Sequence, residues 1–100
     1  MASNYQPRFE HCIYIPVPKY LPGMAAAVAS ECGGCTVIYS TGGTWYDEFG
    51  NVADEPVNII KAITSGGNPP GTFDRISADL LAGGEQAVLI TRQPIDVTGI

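Results

Sequence analysis

The residues able to do chemistry crowd into one stretch, Trp45-Tyr46-Asp47-Glu48-Phe49-Gly50-Asn51-Val52-Ala53-Asp54-Glu55-Pro56. The large aromatics Trp45 and Tyr46 and four acids gather around one turn there. Aromatic faces and carboxylates both attract positive charge, so the combination suits a cationic ligand. An ordinary hairpin with exposed acids and one aromatic tucked into the core fits the same residues. On residue types alone that plainer reading stands ahead.

Other candidates are weaker. Cys32-Gly33-Gly34-Cys35 has the spacing of a redox pair, but such a pair normally opens a helix, whose positive end stabilises thiolate. Here it closes one predicted helix and begins a strand, so the dipole has the wrong sign. Both cysteines read as partly buried structural residues. Zinc would need four ligands, and strand alternation sends His11 and Cys12 to opposite faces. His11 lies near no serine or cysteine nucleophile motif and reads as a strand residue with a local hydrogen bond. No phosphate-binding glycine loop is present. Gly42-Gly43 and Gly66-Gly67 are read as bends, and no cofactor or metal is expected.

The elements that must hold these residues follow from periodicity. Residues 1–8 are polar and read as a loose arm. Phe9 to Val17 alternates, with Phe9, His11, Ile13, Ile15 and Val17 on one face and Cys12 and Tyr14 on the other, which predicts a strand ended by Pro16 and Pro18. Pro22 suits a first helical turn. Leu21, Met24, Ala25, Val28 and Cys32 continue that helix to the Gly33-Gly34 stop. Cys35 to Ser40 is β-branched and aromatic and predicts strand two. Thr41-Gly42-Gly43-Thr44 is a place for a bulge or bend before Trp45-Tyr46. Residues 47–51 read as a turn, and Val57 to Ile63 as strand three. Residues 65–71 are loop-like. Thr72 is a candidate cap for a helix carrying Phe73, Ile76, Leu80 and Leu81, ended by Gly83-Gly84. Gln86 to Gln93 reads as strand four, closed by Pro94.

Strand, helix, hairpin, helix, strand is the split βαβ order. It predicts an α+β, ferredoxin-like βαββαβ sandwich over residues 1–100, with a four-stranded antiparallel sheet and both helices on one face. The other face carries Cys12, Tyr14, Ile38 and Ile60 on this reading and is apolar enough to call for a partner. Composition agrees: the 100 residues are 45% hydrophobic and only 15% charged, so a second copy of the chain is the simplest cover. A net charge of −5 with no basic run excludes an electrostatic footprint for nucleic acid. No apolar run approaches a membrane span. The opening residues lack a signal peptide's blocks. Three cysteines, an odd number, argue for a reducing cytoplasm.

The two ends of the chain carry a resemblance. His11-Cys-Ile-Tyr-Ile-Pro-Val17 resembles the first strand of the phage S-adenosylmethionine lyases, where a His-x-x-Tyr-x-x-Val pattern opens the domain. Glu85-Gln-Ala-Val-Leu-Ile-Thr-Arg-Gln93 with Thr98-Gly99-Ile100 looks like that family's last strand. Ser40-Thr41 through Trp45-Tyr46 to Glu55 is similar to its aromatic and downstream glutamate, with a spacing that departs by a residue or two and leaves Trp45 and Tyr46 as alternatives. The resemblance implies cleavage of S-adenosylmethionine to 5′-methylthioadenosine and homoserine lactone, which lowers host S-adenosylmethionine and blunts restriction. It implies catalytic roles for Glu55 and Tyr46, and substrate contacts from Trp45, Thr41 and Glu55. It also implies a PII-like homotrimer with sites between subunits, working in the host cytoplasm if phage-encoded. Two alternatives stand beside it: a PII-like module that binds a nucleotide or small molecule without turnover, and a domain of an uncharacterised ferredoxin-like family with another small substrate.

Overall fold

The computed structural model describes residues 6–46 and 49–98. Its elements run β1 (Gln6–Pro16), α1 (Pro22–Cys32), β2 (Thr36–Tyr46), β3 (Val52–Thr64), α2 (Gly71–Ala82) and β4 (Ile90–Val97). The strands form one antiparallel sheet in the order β2-β3-β1-β4. This is the expected ferredoxin-like α+β arrangement.

The core explains why both helices lie on one side. Ile13 and Ile15 of β1 and Ile60 and Ala62 of β3 project from the same sheet face into Val28 of α1 and Phe73, Ile76 and Leu80 of α2. Burial of each large side chain contributes about 1.5–3 kcal/mol, which overcomes the weak capping of α1. Leu21 precedes that helix with no side-chain cap bond, and Gly33 follows it with a φ of 82° that only glycine adopts cheaply. Ile60 pairs with Ile13 and belongs to this core, not to the outer face expected for it. Tyr14 pairs with Ile59 instead, so Ile59 is the outer-face residue.

Four other expectations change. Residues 6–8 are not a loose arm: they extend β1 by pairing with residues 95–97, while residues 1–5 lie outside the described residues. Pro94 does not close β4. It sits inside it, opposite Phe9, because an edge strand keeps one side free of ladder bonds. Residues 86–89 precede β4 as irregular chain. Finally, β3 starts at Val52 rather than Val57, since Gly42, Gly43 and Thr44 pair with Pro56, Glu55 and Asp54. The Thr44 hydroxyl donates to Asp54 Oδ1 at 2.7 Å across that ladder.

The bend in β2 falls just before the glycines. Between Ile38, opposite Ile59, and Thr41, opposite Val57, two residues face the single Asn58. This is a β-bulge, and Ser40 takes a φ of 51° to make it. Buried Asn58 accepts the Ser40 N–H on Oδ1 at 2.8 Å. β1 pairs with β3 only as far as Pro16 opposite Val57, so the hairpin runs on as two strands alone. The described chain accordingly measures 57 × 25 × 21 Å.

Thr72 is not the cap of α2; Pro70 occupies that position with no side-chain bond. Glu31 of α1 takes over the role. Its carboxylate accepts the Gly71 and Thr72 N–H groups at 2.7 Å each, and the Thr72 hydroxyl as well.

Candidate functional site

The hairpin outruns β1, and that mismatch in strand length opens a cleft at the point where it leaves the sheet. Tyr14 and Pro16 supply one wall from the end of β1, and Ala53, Glu55 and Val57 supply another from β3. Residues 84–87 and Leu89, between α2 and β4, form the third wall, and Tyr46 stands at the hairpin side. The cavity is about 370 Å³, within the range of small-ligand sites.

Each wall has a physical hold. Tyr14 donates its N–H to the Leu89 carbonyl at 3.1 Å, and Val17 donates to Pro56 at 3.0 Å. Lys19 Nζ bonds the Gly83 carbonyl at 3.0 Å and Glu85 Oε1 at 2.8 Å, which fixes the third wall against the chain after β1. Glu85 is therefore neutralised by a neighbour. Glu55 is half-buried, and no described residue places a cation or a hydrogen-bond donor on its carboxylate. Among the described residues, no lysine or arginine lines the cleft. Its character is anionic and aromatic.

Of the residues singled out from sequence, Glu55 and Tyr46 share this cleft. Thr41 lines a second hollow on the hairpin, with Gly42, Gly43, Thr44, Asp54, Pro56 and again Glu55, so Glu55 borders both. Trp45 pairs with Ala53 in the hairpin ladder. Asp47 and Glu48 lie outside the described residues. Glu55 sits within β3 rather than in a loop just ahead of it. Sequence reading passed over Tyr14 and residues 84–89 as parts of a site. Alternation had put Tyr14 on the outer face, but only the end of β1 beside a longer β3 turns that position into a wall.

His11 lies elsewhere. It is fully buried on the helix side, with Nε2 2.8 Å from Thr64 Oγ1. The Thr64 hydroxyl donates to the Gly66 carbonyl at 2.7 Å, so the histidine proton belongs on Nε2, and Nδ1 is buried without a partner. Cys32 and Cys35 are half-buried free thiols packed against the core. Burial, with the nearby Glu31 charge, pushes the Cys32 thiol up, which keeps it protonated and unreactive.

No family model matches the chain, and no curated protein sequence matches it. Solved structures do. CutA1 from Oryza sativa superposes with a TM-score of 0.67 at 14% identity, covering 97% of this chain and 87% of that one. The nitrogen regulatory PII-like protein CPII from Thiomonas intermedia K12, bound to ADP, AMP and bicarbonate, gives 0.60 at 13%, with 98% and 94% covered. A phage SAM lyase in complex with S-methyl-5′-thioadenosine gives 0.59 at 14%, with 99% and 93% covered. In fold, the chain is similar to the CutA1 and PII-like proteins. A shared fold does not carry a shared activity.

Proposed function

We propose that the chain is an S-adenosylmethionine lyase whose substrate lies in the cleft between Tyr14, Tyr46 and Glu55. The substrate's own carboxylate attacks its γ-carbon, and the carbon–sulfur bond breaks. The electron pair leaves on the sulfur of 5′-methylthioadenosine, and the attacking oxygen closes homoserine lactone. No external proton or cofactor enters that balance. The sulfonium is already a good leaving group, so the protein has only to hold a folded conformer in a poorly solvated site.

The observation that carries this reading is a Glu55 carboxylate with no partner among the described residues, in a cleft with aromatic walls and no described basic residue. Such a site favours a cation and opposes phosphate. Glu55 holds the substrate ammonium. Tyr46, or Trp45 beside it, flanks the reacting end, and Thr41 contacts substrate from the neighbouring hollow. The active form is a homotrimer with the cleft completed by a neighbouring subunit. Its consequence in a phage-infected host cytoplasm is depletion of the methyl donor that restriction systems use.

Incubation with S-adenosylmethionine, followed by chromatography for 5′-methylthioadenosine, tests the activity. Glu55→Gln keeps the shape and removes the charge. Loss of a charge-assisted contact costs roughly 1.5–3 kcal/mol, or about ten- to a hundredfold in rate, and more if the contact also sets the conformer. Asp47→Asn and Glu48→Gln should change little. A Glu55→Gln protein turning over at the parent rate would remove Glu55 from the site. The second reading, a PII-like binding module, is favoured by the nucleotides bound to CPII. It replaces the lyase if the parent binds S-adenosylmethionine and makes no methylthioadenosine.

A further inference from the structure

Glu55 accounts for one charge on a sulfonium amino acid, the ammonium. The second positive centre needs a counterpart, and among the described residues the cleft has one carboxylate free to act, because Glu85 is held by Lys19. What remains are two phenol rings. Tyr46 is 77% exposed on the hairpin, where water screens a cation–π contact to about 0.5–1 kcal/mol. Tyr14 is half-buried near the end of the inner strand β1. Its backbone is fixed on one side by Leu89 and on the other by β3, and a desolvated ring holds a cation more strongly.

Placement supports the division of labour. Tyr14 faces Ile59, and residues 55, 57 and 59 of β3 share a face by alternation. Tyr14 and Glu55 thus line the same side of the sheet, offset by four residues, or about 13 Å along the strand. They do not compete for one charge. A ligand lying between them presents a different cationic centre to each.

We propose that Tyr14 is the specificity-determining residue of the cleft: its ring takes the ligand's sulfonium centre and so selects a charged sulfonium over the neutral thioether. The ligand's identity rests on the lyase reading; the preference for charge is a property of the cleft and can be measured without turnover.

Two unreactive probes separate the claims. Sinefungin carries a protonated amine where the sulfonium stands, and S-adenosylhomocysteine carries a neutral sulfur. By titration calorimetry the parent should bind sinefungin at least about tenfold more tightly than S-adenosylhomocysteine. Tyr14→Leu and Tyr14→Met fill the space without a ring, and either should bring the ratio close to one while leaving S-adenosylhomocysteine affinity nearly unchanged. Tyr14→Phe keeps the ring and should keep the ratio. Melting curves establish which variants are folded. An intact preference in a folded Leu or Met variant, an equal loss of both ligands, or a lost preference in Tyr14→Phe would overturn the proposal. So would a parent that binds neither probe. If the ratios behave as stated but the parent makes no methylthioadenosine, the lyase reading falls and the role of Tyr14 stands.

Discussion

An exposed carboxylate is solvated on all sides, whereas Glu55 is half-buried beside Val57 with no cation against it among the described residues. The surroundings of a residue, more than its type, separate it from the other acids of the chain. Asp54, its neighbour, accepts the Thr44 hydroxyl, and Glu10 is engaged by Gln93 and Lys61. Asn58 shows the same dependence in a structural role. Its side chain accepts the N–H that the bulge at Ser40 removes from the ladder. Asn58→Ala leaves that group without an acceptor at a cost of roughly 1–3 kcal/mol, and for a domain of this size the melting temperature should fall by several degrees or more. A variant melting with the parent would mean that water replaces the amide. Because the bulge sets the register of the hairpin beyond it, Asn58→Ala should also lower activity more than Asp54→Asn does.

Between elements, the contact easiest to probe is the one from Glu31 to the start of α2. Bonds from Thr72 and Gly71, helped by the charge of Arg75, hold the Glu31 carboxyl below its ordinary value near 4.5. A folded-state value below the unfolded one means that the ionised form favours the folded chain. The contribution is complete above the ordinary value and is lost as pH falls through the depressed one. Melting temperatures of the parent and Glu31→Gln should therefore differ at neutral pH and converge in acid below that point. A gap that persists in acid would assign the effect to packing rather than charge. The contact also explains why Thr72 was a reasonable but mistaken candidate cap. Its hydroxyl is bonded within the cap, yet the acceptor arrives from a helix residue 41 positions earlier.

For the molecule as a whole, the outer sheet face sets the expectation. Ile38 is 37% exposed there, beside Cys12, Tyr14 and Ile59, and Ile63, opposite Glu10, is 47% exposed. Leu89 adds apolar surface at the cleft. We expect light scattering at micromolar concentration to report a homotrimer, and Ile38→Lys, which adds a charge to this face, to shift the population towards monomer. Activity should fall with the trimer if the cleft is shared between subunits. A monomeric parent would count heavily against that sharing. Among the described residues, no helix is long and apolar enough to cross a membrane.

Local patterns in the sequence determined the order of elements, both helices almost to the residue, and the alternation that puts Ile13 and Ile15 inside. These depend on neighbours three or four residues apart in a helix, or two apart in a strand, and are legible without knowing what packs where. Glu55 and Tyr46 could be named, but not their common cleft. The ends of β1, β3 and β4 depart from the local pattern because strand length is set by the partner: residues 6–8 and 52–56 are extended only because residues 95–97 and 42–46 pair with them. Register decided that Ile60 faces the core and Ile59 the outer side, since a one-residue shift exchanges the faces. The cleft exists because β3 outruns β1. That difference between two strands distant in sequence is written in neither of them alone, and only the assembled sheet decides it.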